Sequence, residues 1–297
     1  MPTDTFYKIC QTTRTTHHAF GSTMQPSRIL ITGSNSGFGQ LAALTLARQG
    51  HQVIATMRNL AKGDDLLAEA GDLDIEVRHL DVCDPDSVRE ALADAASIDV
   101  LVNNAGFEVQ GAIELIDDEL MHRQLDTNVV GPLRTIRAVM SAWRERGHGA
   151  IVNVSSVVGL ATSPFGGAYA ASKHALEAMS EALHWEAAPA GIRVHVIEPG
   201  RFPTTEFGAN IVRPSGWEGS EFEAKALRLR EALGNLDSDG PQNPQDVADA
   251  IARAATDPTT PFRTLVGADA EMIVGAKSSM SFEDFETAMR STIKWYD

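Results

Sequence analysis

Short apolar runs without polar alternation recur along this chain, and between them apolar residues return at the three-to-four spacing of a helix. The first such run is Arg28-Ile29-Leu30-Ile31-Thr32, which stops at Gly33. A glycine-rich segment, Gly33-Ser34-Asn35-Ser36-Gly37-Phe38-Gly39, leads into Leu41, Ala42, Leu44, Thr45, Leu46 and Ala47, closed by Gly50. The pattern predicts strand, glycine turn and helix, followed by a second strand Gln52-Val53-Ile54-Ala55-Thr56-Met57 that ends at Arg58 and Asn59. Strands over 75–80, 98–103, 150–155, 192–198 and 262–266 then alternate with helices over 85–96, 112–146, 167–189 and 244–256. Such alternation is the mark of an α/β, doubly wound parallel sheet of Rossmann-like type, whose strands read as continuous apolar runs because helices cover both faces.

Two stretches stand outside the alternation. Residues 1–27 show neither period and are expected to form a disordered extension ahead of one domain over 28–297. Their His17-His18 pair is read as part of that tail, so no metal site is assigned. Residues 201–243, after the sixth strand, carry Phe202, Phe207, Ile211 and Trp217 and a charged helical stretch over 220–233; a connection of that length is expected to be a substrate lid.

A formal charge of −15 narrows the partners. Nucleic acid and anionic membranes call for a basic face, and none is evident. The two cysteines, Cys10 and Cys83, do not make a disulfide framework, and no apolar run approaches the roughly 18 residues of a membrane span. With no secretory pattern at the start, the expected location is the cytoplasm.

Candidate chemistry gathers at Tyr169-Ala170-Ala171-Ser172-Lys173, which sets a phenol and an ammonium on one face of a predicted helix. A lysine charge near a tyrosine favours the phenolate, although any solvated helix face can carry this pair. Ser156 closes the fifth apolar run. The glycine turn lets backbone amides approach a pyrophosphate while the helix N-terminus points its positive end at it, and a tight strand-to-helix connection without ligand is the plain alternative.

Together these motifs resemble the short-chain dehydrogenase/reductase family, in its shorter single-domain branch, over residues 27–270. The resemblance implies a catalytic set of Asn128, Ser156, Tyr169 and Lys173. It further implies a cofactor site at Gly33, Ser36, Gly37, Phe38, Gly39, Arg58, Asp81, Val82, Asn104, Ala105, Gly106, Pro199, Gly200 and Thr204, shared with Tyr169 and Lys173. Taken singly, Asp81 could cap a turn, Asn128 could be a buried amide and Ser156 could satisfy a strand-end carbonyl. The implied activity is hydride transfer between a nicotinamide and a carbonyl or secondary alcohol, with Tyr169 as general acid and base, Lys173 lowering its pKa and holding the ribose, Ser156 steadying the oxygen and Asn128 holding a relay water. Met57 and Arg58, where NAD-specific relatives place an acid, favour NADP(H), with NAD(H) possible. The alternatives are a nicotinamide-sensing regulator without turnover and a sugar-nucleotide epimerase or dehydratase. A small-molecule substrate, bulky and apolar, is expected in a pocket near Phe107 and Val109, and the long helices are expected to pair the chain into a homodimer or homotetramer.

Overall fold

The structure is a computed structural model, and it describes residues 26–205, 208, 210–234 and 242–293. Cys10, His17, His18 and Phe207 lie outside the described residues. Seven strands form one parallel sheet: β1 Arg28–Thr32, β2 Gln52–Met57, β3 Ile75–His79, β4 Val100–Asn103, β5 Gly149–Val154, β6 Ile192–Pro199 and β7 Arg263–Val266. Their order is β3-β2-β1-β4-β5-β6-β7, so the winding reverses between β1 and β4. Register there pairs Ile29 with Val100 and Ile31 with Val102. Such a switch point leaves a crevice at the carboxyl ends of the two strands.

Each face of the sheet has its own core. Ile29, Ile31, Val102 and Val152 pack under α1 (Gly37–Arg48) and α8 (Pro244–Thr256), while Leu30, Leu101, Ile151 and Val194 pack under α3 (Pro85–Ala91) and α5 (Gly131–Arg146). The intervening helices are α2 (Gly63–Ala70), α4 (Asp118–Leu125), α6 (Gly167–Ala187) and α7 (Glu221–Gly234). The chain closes with α9 (Ala268–Ser279) and α10 (Phe282–Ile293). In the second core Trp143 is fully buried and donates from Nε1 to Ile98 O at 2.8 Å. Gly149 is required beside it, because a Cβ there would run into the indole ring.

Polar residues inside this face form a chain of satisfied hydrogen bonds. Thr135 Oγ1 donates to Asn103 Oδ1 (2.6 Å), Asn103 Nδ2 to Asn153 Oδ1 (2.9 Å) and Asn153 Nδ2 to Ser180 Oγ (2.8 Å). Burial of these groups is tolerable only because each finds a partner. The ladder ties β4 and β5 to α5 and α6, the two helices that flank the site.

The helical tract over 112–146 is not continuous. It runs as a 3-10 turn Ile113–Leu115, then α4, then a π-turn Asp126–Val130, then α5. Apolar spacing does not register a π-turn, since one extra residue shifts the periodic face without interrupting it. The helix expected over 85–96 likewise ends at Ala91.

Candidate active site

The glycine turn lies over the crevice. Gly33 and Gly37 have φ of 70° and 58°, where L side chains are strained, and a Cβ on Gly33 would fall 2.9 Å from Ala105 Cα. Gly39 packs directly on the Gly33 carbonyl. Asn104 locks the two strand ends together: its Nδ2 donates to Thr32 O and Gly33 O, both at 3.0 Å, while its backbone N–H donates to Thr32 Oγ1. Ser36 caps α1 by position but makes no side-chain capping bond, and the first turn carries no acid. The amides of that helix end are thus left to an anion.

A cleft of about 480 Å³ opens beside this turn. Of the sequence-predicted cofactor residues it brings together Gly33, Ser36, Gly37, Phe38, Arg58, Asp81, Val82, Asn104, Ala105 and Gly106. Lys62, Cys83, Arg123, Thr127 and Thr205 also line it and were not anticipated from the motifs. Asp81 spends Oδ1 on the Cys83 N–H at 2.9 Å, the turn-capping role, and leaves its other oxygen for the cleft. The residues fit a dinucleotide: a bare helix N-terminus for the pyrophosphate, an acid at the end of β3, and two cations after β2.

Six predicted cofactor residues do not line the cleft: Gly39 packs on the turn itself, Tyr169 and Lys173 belong to the group described below, and Pro199, Gly200 and Thr204 lie off its wall. Pro199 and Gly200 end β6 behind Ser156, with Gly200 N–H donating to Val266 O and the Asp269 carboxylate occupying the space a side chain would need. Thr204 is exposed in a turn away from the wall, and its neighbour Thr205, fixed by a 2.9 Å bond to Phe202 O, faces the cleft instead.

The four predicted catalytic residues come together at the crevice end of α6. Tyr169 and Lys173 lie on one face of the helix, with the ammonium 5.5 Å from the ring centre. Ser156, at the end of β5, hydrogen-bonds the phenol, and its Oγ also reaches Pro199 O at 3.4 Å. Lys173 donates to Val154 O at 2.8 Å, which uses one of its three N–H bonds. All three side chains are buried, Tyr169 at 9 % and Lys173 at 5 % exposure.

Burial sets their protonation. The Tyr169 phenol is pushed above the usual range by desolvation and by the charge of Glu108, against which the Ser156 bond works. Lys173 is brought down to about 8 by desolvation, opposed by Glu177. The Lys173 ammonium is not among the causes of that shift, which are desolvation and Glu108, opposed by the Ser156 bond.

Asn128 sits on the π-turn, and its side chain is buried. Nδ2 donates to Phe107 O and Ser172 Oγ, both at 3.0 Å, and Oδ1 accepts from Phe107 N–H at 3.2 Å. Its amide braces the β4 loop against α6, with both N–H donors spent and one Oδ1 lone pair remaining. Gln124, buried one turn earlier, braces the same loop through Val109 N–H (2.6 Å) and Phe107 O (2.8 Å).

The segment after β6 closes over this region. Phe202 is buried edge-on to Phe38 at 5.4 Å, Trp217 is buried against Phe165 at 5.8 Å, and Val109 pairs with Val212 as a parallel bridge. Val109, Phe202 and Trp217 are thus packing residues, whereas Phe107 and Ile211 line the cleft. Glu108, between them, is pushed up to about 6 by burial despite Arg230 and Arg213. Nothing in the motif pattern marked it.

Among the described residues no helix is long and apolar enough to cross a membrane, and no cluster of His, Cys, Asp or Glu could hold a metal ion. The short chain dehydrogenase family matches residues 27–214. A 3-ketodihydrosphingosine reductase of Bacteroides thetaiotaomicron is 34% identical over 248 residues, 82% of this chain and 89% of that protein. Human retinol dehydrogenase 8 is 36% identical over 252 residues, 80% of each. A short-chain dehydrogenase from Streptomyces avermitilis superposes with a TM-score of 0.76 at 34% identity, covering 91% of this chain and all of that one. With the glycine turn, the switch-point cleft and this breadth of match in agreement, the chain belongs to the short-chain dehydrogenase family and is an NAD(P)-dependent oxidoreductase.

Proposed function

We propose that this chain is an NADP(H)-dependent oxidoreductase interconverting a bulky, largely apolar carbonyl compound and its alcohol, with Tyr169 as general acid and base. The observation that carries the reading is the buried Ser156–Tyr169–Lys173 constellation beside a cleft whose donors suit a dinucleotide. A bound nicotinamide would supply the hydride. In reduction, Tyr169 gives its proton to the oxygen as negative charge grows there, and Ser156 Oγ donates to the same oxygen. The two N–H bonds that Lys173 does not spend on Val154 O would serve the ribose and the phenol. Asn128 and Gln124 keep the β4 loop and α6 in register, so alignment survives a substrate's entry.

Arg58 and Lys62 would hold a 2′-phosphate, Asp81 being the one carboxylate among the described cleft-lining residues. Support for the apolar substrate comes from Phe107 and Ile211 and from the named substrates of the two relatives.

The test is reduced-nicotinamide consumption with a panel of long-chain and polyene carbonyl compounds, in wild type and Tyr169→Phe. The substitution is expected to lower turnover by about 10²–10⁴ while leaving cofactor binding nearly unchanged, because the ring stays and only the proton donor goes. Retention of more than about a tenth of the rate overturns the assignment.

A further inference from the structure

Arg123, in the last turn of α4, lines the cleft but has no part in the scheme above. Its own helix and the π-turn offer it two acids, Glu119 four residues before and Asp126 three residues after, and glutamate four residues ahead of a cation is the spacing that favours a surface ion pair. Neither is used. Asp126 pairs with Arg134 at 2.7 Å, and among the described residues no carboxylate or hydrogen-bond acceptor meets the Arg123 side chain. The guanidinium instead lies over the Phe107 ring, 5.0 Å from its centre, with its N–H donors unengaged.

The surroundings of Arg123 put it within reach of the glycine turn. Thr127, one turn further along the same face, also lines the cleft, and its Oγ1 lies 3.3 Å from the thiol of Cys83, whose N–H donates to Asp81. This face of α4 and the π-turn is therefore a wall of the cleft. Phe107 lies two residues beyond Ala105, at most about 7 Å of chain, and Ala105 is the residue on which Gly33 closes. The guanidinium thus stands within side-chain reach of a group seated on the turn, in a cleft of about 480 Å³ that both line.

Charge decides what that group is. The described residues lining the cleft include three cations, Arg58, Lys62 and Arg123, and one acid, Asp81, in a chain whose formal charge is −15. Arg58 and Lys62 follow β2, where the adenosine ribose belongs. The turn over 33–39 holds no cation, and a helix N-terminus is equivalent to only about half a positive charge. A dinucleotide's doubly charged pyrophosphate is therefore left mostly uncompensated by the amides of α1.

We propose that Arg123 is a pyrophosphate clamp, holding from the α4 side the phosphates that the glycine turn holds from α1. Arg58 and Lys62 discriminate between the two cofactors, whereas Arg123 serves NADP(H) and NAD(H) alike, because both carry the pyrophosphate. Stacking on Phe107 keeps the planar fork at the cleft before the ligand arrives, so less side-chain freedom is lost on binding. The clamp requires the dinucleotide and not the proton chemistry of Tyr169.

Binding of nucleotide fragments to the full chain tests this without turnover. The Arg123 side chain is exposed and makes no ion pair, so replacing it removes little that holds the fold. In titration calorimetry Arg123→Gln is expected to weaken ADP about tenfold, the low end for a charge-assisted contact, and to leave adenosine 2′-monophosphate within about twofold. Arg58→Ala is expected to do the reverse. Arg123→Lys, which keeps the charge without the fork, should fall between wild type and Arg123→Gln. In initial rates, KM for NADP(H) and for NAD(H) should rise by the same factor in Arg123→Gln. An ADP affinity within about twofold of wild type in that variant overturns the clamp, and so does an equal loss of adenosine 2′-monophosphate, which would mean that the whole cleft is disturbed. A rise in KM confined to the carbonyl substrate, with ADP binding intact, overturns it in favour of a contact to an anionic group on the substrate. Binding of ADP that depends on Arg123, in a chain that reduces no carbonyl compound, would keep the clamp and remove the proposed activity.

Discussion

Glu108 bears on the direction of the chemistry through its charge alone. Its carboxylate, ionised above about pH 6, raises the proton affinity of the Tyr169 phenol. Alcohol oxidation needs the phenolate, and carbonyl reduction needs the phenol. Glu108→Gln is therefore expected to move the rising limb of the oxidation pH–rate profile to lower pH, and to erase the inflection near pH 6, with reduction at neutral pH little altered. Initial rates in both directions over pH 5–10 check this, and an oxidation limb that stays in place removes Glu108 from the site. Cofactor choice is a second matter of single residues. A charge-assisted contact contributes about 1.5–3 kcal/mol, so Arg58→Ala and Lys62→Ala are each expected to cost roughly ten- to a hundredfold in kcat/KM for NADP(H), with NAD(H) unaffected. The place of Arg58 at the cleft was legible from its position after the second strand. That of Lys62 was not, because the 3-10 turn Leu60–Lys62, capped by Asn59 accepting from Ala61 N–H, is what folds it back to the cleft.

At the scale of elements, the strands were legible because both sheet faces are buried and apolar runs have no other reason to recur at these intervals. The glycine turn was legible for a backbone reason, since positive φ and a 2.9 Å approach to Ala105 exclude most residues from Gly33. What escaped were features set by particular hydrogen bonds: between distant segments, the π-turn that aims Asn128 at Phe107 and Gln124 as a second brace, and locally the turn that places Thr205 at the cleft. The aromatic residues after β6 were ambiguous for the same reason, because packing and substrate contact ask for the same side chains. Trp217, 2 % exposed and edge-on to Phe165, is a packing residue of the segment after β6. Phe165 itself holds φ of 63°, a strained conformation for an aromatic residue, and its carbonyl accepts from Gly111 N–H. Trp217→Ala is expected to cost about 3–5 kcal/mol of stability and to raise KM more than it lowers kcat, since the covering segment loses its anchor. Thermal unfolding and steady-state kinetics on the same preparation separate the two effects, and an unchanged melting point would mean that the indole does not hold the segment down.

At the scale of the whole molecule, charge and surface pull in opposite directions on self-association. Trp185, near the end of α6, is 72 % exposed, and Ile113 and Phe282 are 69 % and 72 % exposed. A tryptophan left in water on the longest helix forfeits burial that a second copy could return, and a face shared by two identical chains is satisfied by a twofold axis. The formal charge of −15 opposes that approach. Repulsion between like-charged surfaces fades over a Debye length of about 8 Å at physiological ionic strength, while apolar burial does not, so association is expected to strengthen as salt is raised. Light scattering is accordingly expected to give a dimer or tetramer of the 31.9 kDa chain at micromolar concentration in 0.15 M salt, and Trp185→Glu to shift it toward a monomer. The site lies on the buried side of the same helix, through Tyr169 and Lys173. The monomeric variant should therefore keep its turnover per chain. A mass of about 32 kDa for the wild type at every salt concentration would refute pairing; a dimer indifferent to Trp185→Glu would place the interface on another face.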